Sequence, residues 1–401
     1  MGRLQSLAGF LALRRSVAGM LAMTLLVLMG EKMGERFLPV YLMALGGGAL
    51  SIGLLSGLDN LLSALYSIPG GYLSHRLGFK RALLVFNLVA MTGYLAVILI
   101  PRWWAVIAGA ALFLSWSALS LPATMDLVAR AVPKSKRAMG VSMHSLVRRI
   151  PMALGPLLGG WFIWMWGEVT GVRLAFCAAL GMAIVGLVMQ QRLIEDAPGD
   201  DGSDLPRNPL RLWPEMSPPL RSLLVSDILV RFCEQIPDAF VVIWAMKVIA
   251  SPVDAVQFGV LTAIEMATAL LCYVPVAHMA DRMGKRPFVL ATFVFFTLFP
   301  LALLWSSSFG LLAAAFVLRG LKEFGEPTRK ALIMDLAPEG RKAAMFGLYY
   351  LIRDVIVSAA AFGGALLWMI SPTVNLLTAF AFGAAGTAWF ALRGREATPA
   401  R

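Results

Sequence analysis

The sequence predicts an all-α integral membrane protein of twelve transmembrane helices in two pseudo-symmetric six-helix halves, and three observations carry that expectation. The first is composition. The 401 residues are 59% hydrophobic and 14% charged, and the apolar residues fall into blocks of about 20, the length that crosses a bilayer as helix. Lipid satisfies no backbone hydrogen bonds, so only helices or closed barrels cross it, and these blocks do not alternate as barrel strands would. The second is the distribution of Lys and Arg between the polar joints, and the third is an internal repeat. The blocks centre near Gly30, Leu62, Thr92, Leu114, Met152, Met182, Gln235, Ala267, Thr297, Phe316, Val355 and Phe382.

The formal charge of +12 could point to nucleic acid, so the placement of the basic residues decides. One side of the predicted membrane collects Arg14, Arg15, Lys80, Arg130, Lys134, Lys136, Arg137, Arg192, Lys285, Arg329, Lys330 and Arg341, among others. The other keeps Arg102, Arg173 and Lys247. That asymmetry is the topology signal of cytoplasmic loops. It places both termini inside a multi-pass protein, expected in a bacterial inner (cytoplasmic) membrane, and makes a nucleic-acid partner unnecessary. The opening Met1, Gly2 and Ser6 match a myristoylation pattern, but a twelve-helix protein gains nothing from a weak acyl anchor. No cleavable signal is evident, because the first apolar run is of spanning length.

Taken in order, helix one runs from about Val17 to Leu45 and contains GEKMGERF, with Glu31, Lys32, Glu35 and Arg36 near its middle. An ionisable group there costs about 3 kcal/mol or more unless it faces protein or water. Glu31 and Glu35, one turn apart on one face, therefore line a water-filled cavity. In helix two, Asp59 lies at the depth of Glu35. Trp103 and Trp104, before helix four, read as interface anchors. Helix five brings Arg148 to the depth of Glu31, then GPLLGG, where Pro156 interrupts the hydrogen-bond ladder and Gly155, Gly159 and Gly160 permit close packing.

After helix six comes the Pro-, Gly- and Asp-rich segment 195–219, a linker dividing an N-terminal half, 1–194, from a C-terminal half, 220–401. Helix seven carries Asp227, Arg231, Glu234 and Asp238; helix eight carries Glu265; helix ten carries Arg319, Lys322, Glu323 and Glu326; helix eleven carries Arg353 and Asp354. Spacing of four makes Asp227 with Arg231, Arg319 with Glu323, and Lys322 with Glu326 structural pairs along single helices. Arg148 with Glu31, and Arg353 with Glu234, are pairs expected between helices. Asp59 and Glu265 have no opposite charge three or four residues away, which makes them the candidate proton carriers.

The repeat lays GLLSGLDNLLSALYSIPGGYLSHRLG, from Gly53, on GVLTAIEMATALLCYVPVAHMADRMG, from Gly259, without a gap. Asp59 then faces Glu265, Arg76 faces Arg282 and Gly78 faces Gly284. With small offsets, Arg148 faces Arg353, Gly159 faces Gly364, and Glu31 and Glu35 face Glu234 and Asp238. Both halves start on the same side, so the repeat is parallel.

GYLSHRLGFKR after helix two, AHMADRMGKR after helix eight and GPLLGG in helix five together resemble the major facilitator superfamily. The first is similar to the family's Gly-x-x-x-Asp-Arg-x-Gly-x-Lys-Arg loop. The resemblance implies a conformational motif at Gly71, His75, Arg76, Gly78 and Arg81, echoed at Asp281, Arg282, Gly284 and Arg286. In the family an acidic residue latches the halves. His75 occupies that place here, and only Asp281 keeps the acid. The helix-five element, Gly155, Pro156, Gly159 and Gly160, resembles one common in exporters. Helix four lacks an arginine that many proton-coupled members carry there, whereas Arg319 sits near the corresponding place in the second half.

The expected function is secondary active transport by rocking of the two halves: proton-coupled export of small amphipathic or cationic solutes. The cavity residues are Glu31, Glu35, Asp59, Arg148, Glu234, Asp238, Glu265, Arg319 and Arg353. The alternatives are import of a zwitterionic or anionic metabolite clamped by Arg148 and Arg353, and a transport-dead membrane sensor. The expected partners are a small-molecule solute, protons or another coupling ion, and the bilayer, with the chain acting as a monomer. No cofactor, metal or enzymatic chemistry is expected. His75, His144 and His278 are scattered, no phosphate-cradling loop occurs, and Cys177, Cys233 and Cys272 read as packing residues.

Overall fold

A computed structural model describes residues 15–114, 116, 120, 137–194, 209–338 and 341–394. Every regular element among them is helical. Seven of the described helices are long and apolar enough to cross a membrane. Apart from Trp116 and Ser120, the second half of predicted helix four lies outside the described residues, as do residues 195–208 of the predicted linker. The chain divides into two compact units, Met1–Gly47 with Leu62–Asp204, and Gly48–Leu61 with Leu205–Arg401.

In the first unit, α1 (Arg15–Glu35) stops at a turn over Arg36 and Phe37 and resumes as α2 (Leu38–Ala44). Pro39 sits in the first turn of α2, where a missing N–H costs nothing. Then follow α3 (Ala49–Leu77), α4 (Phe79–Leu99), α5 (Trp103–Phe113) and α6 (Arg137–Leu193). The last is a hairpin, because Gly167 takes φ 77° and ψ 172°, a left-handed region that glycine enters without steric cost. Helix α1 packs against both arms. Gly155 and Gly159 of the first arm meet the backbone of Lys32 and Met33, while Gly30 and Gly34 meet Ala179 and Phe176 of the second. Side chains this small let backbones approach closely without a hydrophobic driving force.

A buried polar chain ties the same unit together. The Trp116 indole N–H donates to Asn87 Oδ1 (2.7 Å), the Asn87 amide to Gln190 Oε1 (2.7 Å), and the Gln190 amide to the Lys80 carbonyl (2.8 Å). Each polar group finds a partner, which the apolar surroundings demand.

The second unit contains α7 (Pro218–Asp238), α8 (Val241–Ile243) running into a π-turn (Trp244–Val248), and α9 (Ala255–Met283). It continues with α10 (Arg286–Leu304), α11 (Phe309–Leu321), α12 (Glu326–Leu336), α13 (Lys342–Ile370) and α14 (Pro372–Arg393). Asp254 and Gln257 close a reciprocal capping box at the start of α9. Helices α11 and α12 are one predicted helix interrupted at residues 322–325. The Gly325 N–H leaves the helical ladder and donates to Thr292 Oγ1 (2.8 Å), and Pro327 enters the next first turn.

Two features concern the segments where the chain passes between the units. The end of the segment read as linker is folded, with a 3₁₀ turn over Pro209–Glu215 and with Leu212 and Met216 buried in the apolar core of the second unit. Gly48–Leu61, the start of α3, clusters with that unit as well. Gly53 and Gly57, one turn apart, form a smooth face against Ala365 and Phe362, and Asn60 donates to Gln235 Oε1 (3.0 Å).

The two halves repeat one another in detail. Gly78 and Gly284 both hold positive φ, 75° and 87°, immediately before a helix or its first turn. Gly159 lies against the Met33 carbonyl and Gly364 against that of Ile236, each two residues past an aligned glutamate. Helices one and seven both break directly after the second aligned carboxylate, at Arg36 and at Ala239.

Candidate functional site

Ionisable side chains of α7 and of the broken helix α11–α12 form a ladder. On α7, Asp227, Arg231, Glu234 and Asp238 are spaced four, three and four, so they share one helix face. On the broken helix opposite, Arg319, Lys322, Glu326 and Arg329 are spaced three, four and three. The rungs run in antiparallel register: Asp227 with Arg329, Arg231 with Glu326 (3.2 Å), Glu234 with Lys322, and Asp238 with Arg319.

Cross-links join the rungs. Arg231 also reaches Glu234 (2.6 Å), Arg329 reaches Glu326 (2.6 Å), and Lys330 reaches Glu326 from the rim (3.5 Å). At one end, Arg353 pairs with Asp354 (2.6 Å) and approaches Asp227 (3.5 Å), to which the Tyr349 hydroxyl donates (3.0 Å). Aromatic faces cover the cations. Phe296 lies under both Arg231 and Lys322, Phe299 and Phe316 flank Arg319, and Tyr350 stacks on Arg353 at 4.1 Å.

At the other end, two carboxylates share one guanidinium. Arg319 binds Asp238 and also places Nε 3.3 Å from Glu265 Oε1. Glu265 is 2% exposed, its Oε1 contact lacks hydrogen-bond geometry, and its Oε2 has no hydrogen-bond partner. Asp238 is 30% exposed, so this end of the ladder grades from a sealed carboxylate to an accessible one.

These contacts revise the expected pairings. Asp227 pairs with Arg329 and Arg353, and Lys322 with Glu234, because bonding across two packed helices brings opposite charges closer than four residues along one helix. Arg353, expected opposite Glu234, is held by Asp354 and Asp227. Arg329, read as part of a polar joint, is 1% exposed. The signal for it was present, since Arg329 continues the three-and-four spacing of Arg319, Lys322 and Glu326.

In the first unit, Lys32 lies between Glu31 (3.1 Å) and Glu35. Glu31 is buried, and Arg148 is half-buried within its electrostatic range. Asp59 is half-buried on the part of α3 that clusters with the second unit. Of the motif residues, Gly155, Pro156, Gly159 and Gly160 are buried, the first and third against α1. Arg81 and Arg282 are exposed, and Arg286 donates to the Ala391 carbonyl (2.7 Å). The side chains of Gly71, His75, Arg76 and Asp281 lie outside the described residues.

Residues 18–250 and 223–401 match the family model described as Major Facilitator Superfamily. Among solved structures, a mutant of the nucleoside transporter NupG is 12% identical, with a TM-score of 0.79 over 94% of this chain and 99% of that one. A mutant of the peptide transporter POT in complex with alafosfalin is 16% identical, with a TM-score of 0.76 over 97% of each chain. A bacterial homolog of the human lysosomal transporter Spinster, inward-facing and unoccupied, is 14% identical, with a TM-score of 0.69 over 97% of this chain and 100% of that one. At these identities the likeness concerns the fold alone. No curated protein sequence matches the chain.

Proposed function

Because the chain belongs to the major facilitator superfamily, we propose that it is a proton-coupled secondary transporter that exports small amphipathic or cationic solutes by alternating access. The observation that carries the coupling is the set of Glu265, Arg319 and Asp238. A buried carboxylate with one unbonded oxygen shares a guanidinium with a second, more accessible carboxylate. A proton arriving on Glu265 leaves the Asp238 pair intact, whereas losing it restores the competition of two carboxylates for one guanidinium. A change of that kind at a buried ion pair is worth enough to shift a two-state equilibrium.

The preference for cations rests on the acids of helix one, Glu31 and Glu35, which flank a single lysine. The preference for export rests on the likeness of GPLLGG to the element common in exporters. The importer reading needs Arg148 and Arg353 as a clamp for an anion, and Arg353 is already engaged by Asp227 and Asp354.

The test is transport in inside-out membrane vesicles whose lumen is acidified. Proton-driven export predicts that a cationic dye accumulates in the lumen and leaks back when the gradient is collapsed. A dye distribution that ignores the gradient, with uptake of zwitterionic metabolites into right-side-out vesicles, would replace export by import.

A further inference from the structure

A cavity of about 560 Å³ opens where α7 begins and α14 ends, lined by Pro218, Pro219, Arg221, Ser222, Val225, Trp389, Leu392 and Arg393. It lies within the second unit and is separate from the ion-pair ladder. Among the described residues its lining holds two arginines and no acid. Arg393 stacks on Trp389 at 4.3 Å and Arg221 on Trp213 at 5.3 Å, which holds both guanidinium groups in place. Arg221 spends one nitrogen on the carbonyls of Trp213 and Pro214 (3.2 and 3.0 Å), while its buried Nε has no hydrogen-bond partner.

The start of α7 adds to the positive field. Ser217 does not cap it, because its hydroxyl donates to the Leu336 carbonyl (2.9 Å), and Pro218 and Pro219 carry no N–H, so what the first turn contributes is the positive end of the helix dipole. The Trp389 indole N–H is occupied by Ser222 Oγ (3.2 Å). What remains at the cavity, among the described residues, is positive charge without a counter-ion. On the flank, Val225 is 40% exposed on α7, and Leu392 is 84% exposed at the end of α14, a helix long and apolar enough to cross a membrane.

We propose that this cavity binds the phosphodiester headgroup of an anionic phospholipid, with Arg221 and Arg393 as its ligands and the acyl chains lying along Val225 and Leu392. Guanidinium groups match phosphate oxygens in pairs, and basic pockets at helix ends beside the headgroup layer favour anionic lipids. A free phosphate would satisfy the arginines and leave the apolar flank bare. For that reason the lipid is the occupant the site fits.

The experiment is native mass spectrometry of the full-length protein in detergent, titrated with dioleoylphosphatidylglycerol or with dioleoylphosphatidylcholine. The wild-type chain is expected to retain one phosphatidylglycerol more tightly than the rest and to show no such preference for phosphatidylcholine. Arg393→Ala, an exposed position whose loss does not threaten folding, weakens that retention about 5-fold, and Arg221→Ala with Arg393→Ala about 25-fold. A charge-matched control, Arg192→Ala with Lys342→Ala, retains the lipid as the wild type does. Equal retention by the wild type and both arginine variants, or equal retention of the two lipids, overturns the site. Displacement of the lipid by inorganic phosphate alone overturns the lipid as its occupant.

Discussion

Arg329 is 1% exposed and meets Asp227, which is also sealed from solvent. Removing one member of such a pair leaves an uncompensated buried charge, at a cost of about 3–5 kcal/mol, whereas replacing both by apolar groups is often tolerated. Arg329→Met should therefore lower the melting temperature in detergent substantially, and Asp227→Leu combined with Arg329→Met should recover most of the loss. Equal melting temperatures for the single and double variants would remove this rung from the account. Individual residues were legible in the sequence as far as their helices: hydropathy put Glu234, Asp238, Glu265, Arg319 and Arg353 on helices, and each lies on one. Their partners were not, because partner choice depends on how each helix is rotated about its axis. Glu265 shows the difference, since its own helix offers no cation three or four residues away and Arg319 reaches it from another.

At the scale of elements, close packing and helix breaks position the charges. A Cβ at Gly159 would meet the Met33 carbonyl, whereas one at Gly181 would meet nothing within 4 Å. Gly159→Ala should accordingly destabilise the protein by about 1–3 kcal/mol, the usual cost of overpacking. Gly181→Ala should leave the melting temperature unchanged or raise it slightly, and the reverse order would contradict the packing of α1 on the α6 hairpin. The break between α11 and α12 makes a second test. Thr292→Val keeps the volume but deprives the Gly325 N–H of its acceptor, at a cost of about 1–3 kcal/mol. Unchanged stability would mean that the break is held by Pro327 alone. The sequence marked GPLLGG as a packing element but could not name its neighbour, since glycine carries no side chain whose chemistry points to one. The stop after Glu35 carried only one cue, Pro39, and the stop after Asp238 follows a proline that lies inside α7.

For the whole molecule, the repeat was legible because both halves kept glycines where geometry allows little else, at Gly78 and Gly284 and at Gly159 and Gly364. Charge was not kept symmetrically. The described first unit carries a small cluster at Glu31, Lys32 and Glu35, and the second carries the full ladder. On the proposed function, proton coupling belongs to the end of the ladder where Glu265 and Asp238 share Arg319. The most direct measurement is transport by Glu265→Gln in liposomes, comparing solute counterflow at equal pH with transport driven by an imposed proton gradient. A permanently neutral side chain can still allow exchange but cannot alternate its charge, so counterflow should persist at the wild-type rate while gradient-driven transport disappears. Gradient-driven transport that survives in Glu265→Gln at the wild-type rate would contradict the account.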